Sequence, residues 1–73
     1  MASRDSSSPP PELTGIERKC LRLAAIGRTP AEIAHEADLA PERASEVLRS
    51  ATDKLGAQNL TGAISRAVRL ALI

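Results

Sequence analysis

The residues of this 73-residue chain that could do chemistry are concentrated between Pro41 and Leu55, where charged side chains recur at helical spacing. Because a helix turns once every 3.6 residues, one side of a helix here would present four of them together. A guanidinium can form two hydrogen bonds to guanine, and a carboxylate can accept one from cytosine. The four residues of this side, here called the outer face, are Glu42, Glu46, Arg49 and Asp53.

Two interpretations of this segment are open. In the first, Glu46 and Arg49 contact bases of a duplex, and neighbouring side chains contact bases or phosphates. In the second, the charges are simply solvated, and pairs such as Glu46 with Arg49 contribute only tenths of a kcal/mol. For Glu46, the solvated-charge interpretation is at least as well supported as base contact. For Arg43 and Arg49, contact with the duplex is favoured. The candidate contact residues of the segment are Arg43, Ser45, Glu46, Arg49, Ser50 and Lys54.

The sequence contains few residues that could support catalysis or metal binding. His35 is the single histidine and Cys20 the single cysteine, so neither can join a second residue of its kind in a metal site or a disulfide. No glycine-rich phosphate loop is present. We therefore expect no enzyme activity, no catalytic residue, no metal and no cofactor. We expect His35 to be a surface or packing residue, and Cys20 to be buried and inert.

Composition narrows the class of protein further. The chain has no Phe, Trp or Tyr, which removes the aromatic platforms on which single-stranded nucleic acids stack. A core of Leu, Ile, Val and Ala suits closely packed helices. The net charge is only +1, so any contact with nucleic acid must come from local placement of charge. No apolar stretch is long enough for a membrane span or a signal peptide, and we expect a cytoplasmic protein without membrane contact.

The chain divides into a short tail and one domain. Residues 1–12 are rich in Ser and Pro, which predicts a disordered tail or linker before a domain over 13–73. Thr14 with Glu17, and Thr29 with Glu32, have the spacing of helix capping boxes. The predicted helices run from Thr14 to Gly27, from Pro30 to Ala37, from Pro41 to Leu55 and from Leu60 to Leu72.

Each predicted helix has an apolar side, and no alternating strand pattern occurs. A short helix, a tight connection and a longer helix make a helix-turn-helix unit, so the predicted fold class is all-α with four helices and no wing. The expected buried positions are Ile16, Cys20, Leu23 and Ala24 in the first helix; Ile33 and Ala34 in the second; Ala44, Val47, Leu48, Ala51 and Leu55 in the third; and Ala63, Ile64, Ala67, Val68 and Ala71 in the fourth.

The sequence resembles the LuxR/FixJ-type (GerE-like) helix-turn-helix domain over residues 13–73. Its first half, LTGIERKCLRLAAIGRTPAEIAHEADLA, is similar to the family pattern Leu-Thr-x-Arg-Glu-x-x-Val-Leu followed by Gly-x-Thr-x-x-Glu-Ile-Ala. Later, the residues from Lys54 to Asn59 resemble Lys-Leu-Gly-Val-x-Asn. The third helix departs from the pattern: the positions of the family's Ser, Thr, Val, His and Ile are taken by Ala40, Arg43, Ala44, Val47 and Ala51.

The resemblance implies double-stranded DNA binding in a bacterial transcription regulator, with the third helix in the major groove and a homodimer on the DNA. Thr29 then joins the DNA-contacting residues named above. The family uses its last helix for dimer packing, which is possible here because small residues allow close approach, although packing against the first helix would equally explain them. The implied dimer interface comprises Ala63, Arg66, Ala67 and Leu70.

Two other hypotheses stand beside sequence-specific DNA binding. In one, the altered third helix binds a protein, such as a partner regulator or RNA polymerase, with weak or no DNA binding. In the other, the chain is a promoter-binding module like region 4 of sigma factors, against which the Leu-Gly-x-x-Asn turn and the fourth helix count. A basic group at Arg18, Lys19, Arg22 and Arg28 could contact phosphates or an acidic partner, a solvated surface being the default.

Overall fold

The computed structural model describes residues 12–73, so the predicted tail lies, apart from Glu12, outside the described residues. Four helices follow one another: α1 (Gly15–Ala25), α2 (Pro30–Glu36), α3 (Pro41–Lys54) and α4 (Leu60–Arg69). No strand occurs over the described range, which confirms the all-α prediction with four helices. Three of the helices agree with their predicted ranges to within two residues at each end.

Side chains mark where three of the helices begin. At α1 the Thr14 hydroxyl accepts a hydrogen bond from the Glu17 N–H (3.1 Å), and Glu17 Oε1 accepts one from the Thr14 N–H (2.7 Å). Thr29 and Glu32 repeat this capping box at α2, as predicted. Asn59 Oδ1 accepts from the Gly62 N–H at α4, whereas α3 begins at Pro41 with no side-chain cap. These bonds satisfy amide groups that would otherwise lack partners.

All four helices end in the same local motif. One residue after the C-cap, the backbone turns to a positive φ and two amides bond back into the last turn, the arrangement of the Schellman motif. In α4, the Leu72 N–H donates to the Ala67 carbonyl (2.8 Å) and the Ala71 N–H to that of Val68 (3.0 Å). The positive-φ residues are Gly27 (91°), Asp38 (60°), Gly56 (66°) and Ala71 (59°).

This motif corrects the predicted end of the fourth helix. The prediction extended α4 to Leu72, but Ala71 adopts the left-handed conformation and α4 ends at Arg69. Alanine is an unusual residue there, because a side chain in this conformation costs about 1–2 kcal/mol that glycine avoids. Nothing in the local sequence marks Ala71 as a stop, which explains the error.

Helices α1 and α3 form the centre of the packing, because each of them contacts the other three helices. Helices α2 and α4 do not touch each other within the described residues. The predicted inward sides of α2 and α3 are confirmed, with all their residues buried. The core cluster consists of Leu13, Cys20, Leu21, Ile33, Ala37, Val47, Leu48, Ala51, Leu55, Ala63 and Ala67.

Two predicted inward faces need correction. In α1 the buried side is centred on Glu17, Cys20 and Leu21, with Ile16, Leu23 and Ala24 only partly buried. In α4, Ala63 and Ala67 are fully buried and Ile64 partly so, but Val68 is 57% exposed and Ala71 is exposed. Val68 directly follows Ala67, and one residue rotates a helix by about 100°, which carries its side chain away from the core.

We expect Gly27→Ala to lower the free energy of unfolding by about 1 kcal/mol, because Gly27 has a φ of +91°. Gly15→Ala is the matched control, since both glycines have nothing within 4 Å of an added Cβ and only Gly27 has a positive φ. The control should keep or raise stability by up to about 0.5 kcal/mol. Urea denaturation of the two variants measures the difference, and equal effects would contradict the assignment of strain to Gly27.

We expect Ala67→Leu to lower the free energy of unfolding by about 1–3 kcal/mol, because Ala67 is fully buried in the monomer and added volume in a packed core causes strain. The same substitution at the exposed Ala25 should change stability by less than about 0.5 kcal/mol. Chemical denaturation compares the two. A well-tolerated Ala67→Leu that also increased self-association would instead place Ala67 at a subunit interface.

Candidate nucleic-acid interface

Helices α2 and α3, with the four residues 37–40 between them, form a short-helix, turn, long-helix unit. Asp38 allows the chain to reverse in this connection, since its φ is +60° and aspartate is one of the residues that tolerate this conformation. Ile33 and Ala34 anchor α2 against the core, and Ala44 and Val47 anchor α3. With its inner side fixed in this way, α3 exposes its polar side along its length.

The outer face of α3 lies where the helical spacing predicted it. Glu42, Glu46, Arg49 and Asp53 are all exposed. Arg43 lies beside this face and forms an ion pair with Glu46, with 3.4 Å between Arg43 Nη1 and Glu46 Oε1. Both side chains are more than half exposed, so the pair contributes little to stability and can separate at little cost. Arg49 forms no ion pair within residues 12–73.

Two of the residues predicted to contact DNA, Ser50 and Lys54, both bond to a carboxylate of α1. Lys54 Nζ donates to Glu17 Oε1 (2.9 Å), and Ser50 Oγ donates to Glu17 Oε2 (2.8 Å). Lys54 Nζ also lies 3.5 Å from the Glu12 carbonyl oxygen. These contacts join the start of α1 to the C-terminal half of α3, and they occupy Ser50 and Lys54 from inside the molecule.

Glu17 is the buried ionisable group of this interface, with 4% of its surface exposed. Burial by itself raises the pKa of Glu17. Hydrogen bonds from the Thr14 backbone, Lys54 and Ser50, together with the charge of Lys54, outweigh burial and lower the pKa from its ordinary value of 4.5 to about 2. The carboxylate therefore remains charged at neutral pH, and both of its oxygens accept hydrogen bonds.

The second capping box presents its groups differently. Thr29 is exposed, and its hydroxyl accepts from the Glu32 N–H at 3.2 Å. That hydroxyl can still donate its own proton, as a phosphate contact by Thr29 would require. Nearby, Arg28 Nε pairs with Glu36 Oε2 at 2.8 Å, which neutralises one of the four members of the predicted basic group. The other three, on α1, are exposed and form no ion pair within residues 12–73: Arg18, Lys19 and Arg22.

The structure places the four residues predicted for a dimer interface in different environments: two are buried, one binds the end of α3 and one is exposed. Ala63 and Ala67 are fully buried in the monomer, which favours the alternative that they pack against its own helices. Arg66 Nη1 donates to the Leu55 carbonyl (2.8 Å), so its side chain binds the end of α3. Leu70 is 44% exposed and is the apolar member of the set at the surface.

Cys20 and His35 lie in different environments. Cys20 is fully buried, as predicted, and burial raises the pKa of its thiol. His35 is exposed on α2, which favours a surface position over a packing role. Over residues 12–73, no three His, Cys, Asp or Glu side chains are grouped closely enough to hold a metal ion. None of the four helices combines the length and apolar character needed to cross a membrane.

The sequence prediction did not identify Glu17 as the partner of Lys54 and Ser50. The capping-box spacing predicts only the bond of Glu17 to the start of its own helix. A signal was nevertheless present, because Glu17 is three residues before Cys20 and four before Leu21, on the side of α1 that faces the core. A carboxylate on an apolar side needs a buried partner, but the sequence could not say which helix supplies it.

A scan of the sequence against protein-family models finds no match, and a search of curated proteins finds none similar to it. Function must therefore be inferred from the residues themselves and from the helices that position them.

We expect Glu17→Gln to lower the free energy of unfolding at pH 7 by up to roughly 3 kcal/mol, the amount that corresponds to lowering a pKa from 4.5 to about 2. Because the folded-state pKa lies below the unfolded one, this stability is present above pH 4.5 and is lost as the pH falls towards 2. The loss in Glu17→Gln should therefore shrink over that range.

Glu32→Gln is the matched control, since Glu32 occupies the same position of an equivalent capping box but is exposed. Glu32→Gln should lower the free energy of unfolding at pH 7 by much less than Glu17→Gln, because the hydrogen bonds that it alters are exposed to water. Denaturant titrations between pH 2 and pH 7 compare the three proteins. Parallel curves for all three would contradict a stabilising role for the Glu17 charge.

Proposed function

We propose that this chain is a sequence-specific DNA-binding domain of the LuxR/FixJ helix-turn-helix type, acting in a bacterial transcription regulator in the cytoplasm. One observation carries the proposal: α2, a four-residue connection and the 14-residue α3 are held by their inner sides, while the polar side of α3 is exposed along its length. A helix presented in this way has the form required to enter the major groove of a duplex.

Within this proposal, Arg49 is the principal base-contacting residue. It is exposed, it forms no ion pair within residues 12–73, and its guanidinium can bind guanine through two hydrogen bonds. Glu46 accepts a hydrogen bond from cytosine once Arg43 leaves it for a phosphate. Ser45 lies beside these residues and contacts a base or a phosphate through its hydroxyl.

The remaining contacts are to the DNA backbone. Thr29, before α2, can donate its hydroxyl proton to a phosphate. Lys54 has three N–H groups, of which the Glu17 carboxylate and the Glu12 carbonyl occupy two, so one remains for a phosphate. Ser50 contributes by helping Glu17 to fix the position of Lys54.

Dimerisation on DNA remains part of the proposal, with a changed interface. Leu70 and Val68 are exposed apolar side chains at the end of α4 and supply the contact surface in place of Ala63 and Ala67. A two-fold dimer would place its two α3 helices in successive major grooves, about 34 Å apart, and would bind an inverted repeat.

A second candidate function is the binding of a basic protein surface, such as part of a regulator or of RNA polymerase. The charge distribution on α3 favours it. Arg43 is paired with Glu46 and Lys54 with Glu17, while the carboxylates of Glu42 and Asp53 have no cationic partner within residues 12–73. A basic partner could pair with them, whereas DNA phosphates repel them.

Salt titration of duplex binding tests the proposal against this alternative. We expect the affinity for a selected duplex to fall steeply with salt, because contacts to phosphates release counterions. Arg49→Ala should reduce the preference for the selected duplex over random duplex by about tenfold or more. Glu46→Ala should lower this preference if Glu46 contacts cytosine, and should raise affinity for all duplexes if Glu46 only repels phosphates.

Arg18→Ala is the charge-matched control, since Arg18 is an exposed arginine on α1 and not on α3. It should leave the preference between duplexes unchanged, whatever its effect on total affinity. Fluorescence anisotropy with labelled duplexes measures all four proteins. Absence of binding to any duplex at low salt would overturn the proposal and favour a protein partner.

A further inference from the structure

A groove lies outside the α2–α3 unit, between the connection that precedes α4 and the outward side of α4 itself. It measures about 380 Å³, and residues 56–59 line one side. Gly62, Ser65, Arg66 and Arg69 line the α4 side. Arg66 and Arg69 are the charged residues among the described residues that line the groove, so the groove is positively charged.

Arg66 is held in place from beneath. Its Nη1 donates to the Leu55 carbonyl at 2.8 Å and lies 3.4 Å from the Gly56 carbonyl oxygen, so it also binds the C-terminal end of α3. Gly56 makes this possible, because an added Cβ would lie only 3.3 Å from Nη1. A guanidinium has five N–H donors, and these contacts use Nη1 alone, which leaves Nε and Nη2 for a ligand.

Arg69 follows Arg66 by three residues on the same helix, so the two cationic groups are neighbours. Neither forms an ion pair with any residue between 12 and 73. Two adjacent cations repel each other unless an anion lies between them. The neutral residues Ser65 and Gln58 bring further hydrogen-bond donors to the same groove.

The N-terminus of α4 adds little to this arrangement. Asn59 Oδ1 already accepts a hydrogen bond from the Gly62 N–H at 2.8 Å, so that end is capped by its own chain. The two arginines, one of them fixed, are therefore the groups that define what the groove can bind. Fixed guanidinium groups favour phosphate oxygens, which they can contact through two parallel hydrogen bonds.

We propose that this groove binds a phosphate group, as the phosphodiester of a DNA duplex or as the phosphate of a free nucleotide. The volume is sufficient for a phosphate with its attached sugar, and the arginines pair with its charge. The duplex form of the proposal rests on the proposed function and adds a backbone contact apart from α3. The free-nucleotide form is independent of DNA binding.

The first arm of the test uses inorganic phosphate and then adenosine monophosphate, titrated into the full chain at constant ionic strength and followed by amide NMR shifts. We expect saturable shifts confined to residues 56–59 and 62–69. Arg69→Gln should weaken binding about tenfold without changing stability, because the Arg69 side chain is exposed and forms no ion pair within residues 12–73. Arg22→Gln, an exposed arginine on α1, is the matched control and should leave binding unchanged.

The second arm measures duplex affinity against salt. If the groove holds a backbone phosphate, Arg69→Gln should weaken binding to all duplexes alike and reduce the salt slope by about one. Phosphate-induced shifts with an unchanged slope would identify a free phosphate compound as the ligand. No localised shift in the first arm together with an unchanged slope in the second would overturn the inference.

The two proposals can fail separately. A duplex preference that depends on Arg49 supports the proposed function, and the groove is overturned if Arg69→Gln leaves the salt slope of that binding unchanged and phosphate induces no localised shifts. Shifts that depend on Arg69 in a chain that binds no duplex support the groove and overturn the proposed function.

Discussion

The carboxylate of Glu17 joins the start of α1 to the C-terminal half of α3 and fixes the position of one helix relative to the other. It caps the first turn of α1 through the Thr14 amide and bonds with Ser50 and Lys54 on α3. Removal of a charge from water is costly, and here three hydrogen-bond donors offset that cost. The orientation of α3, and with it the direction of its outer face, depends on this contact together with the apolar core.

The core itself shows how a small domain without aromatic residues reaches close packing. Alanines at the contact points, Ala51, Ala63 and Ala67, have no exposed surface. Small side chains allow helix axes to approach, and the larger Leu21 and Ile33 fill the space between them. Because the helices pack closely, larger side chains would be poorly tolerated at these three alanines. Nothing in their residue type distinguishes them from the exposed alanines of the sequence.

Local signals accounted for most of what could be predicted from the sequence. Capping boxes, Pro41 and the apolar spacing of α3 gave the helix starts and the buried side of α3, because each depends on residues within about two turns. Non-local contacts were not predictable in this way. The bond from Glu17 to Lys54 joins residues 37 positions apart, and Arg66 reaches back to Leu55. The predicted burial of Val68 was wrong, because its side chain follows the fully buried Ala67 and points away from the core. The predicted end of α4 was wrong because Ala71 adopts a left-handed conformation that its residue type does not favour.

The four similar helix ends make the fold insensitive to the side chains of the outer face of α3. Each stop is set by a left-handed residue and two backbone bonds within six residues, so it needs nothing from the exposed side of α3. Substitutions at Glu42, Glu46, Arg49 or Asp53 that keep the helix leave these backbone stops intact. The chemistry that this surface presents can therefore change through mutation while the fold beneath it is retained.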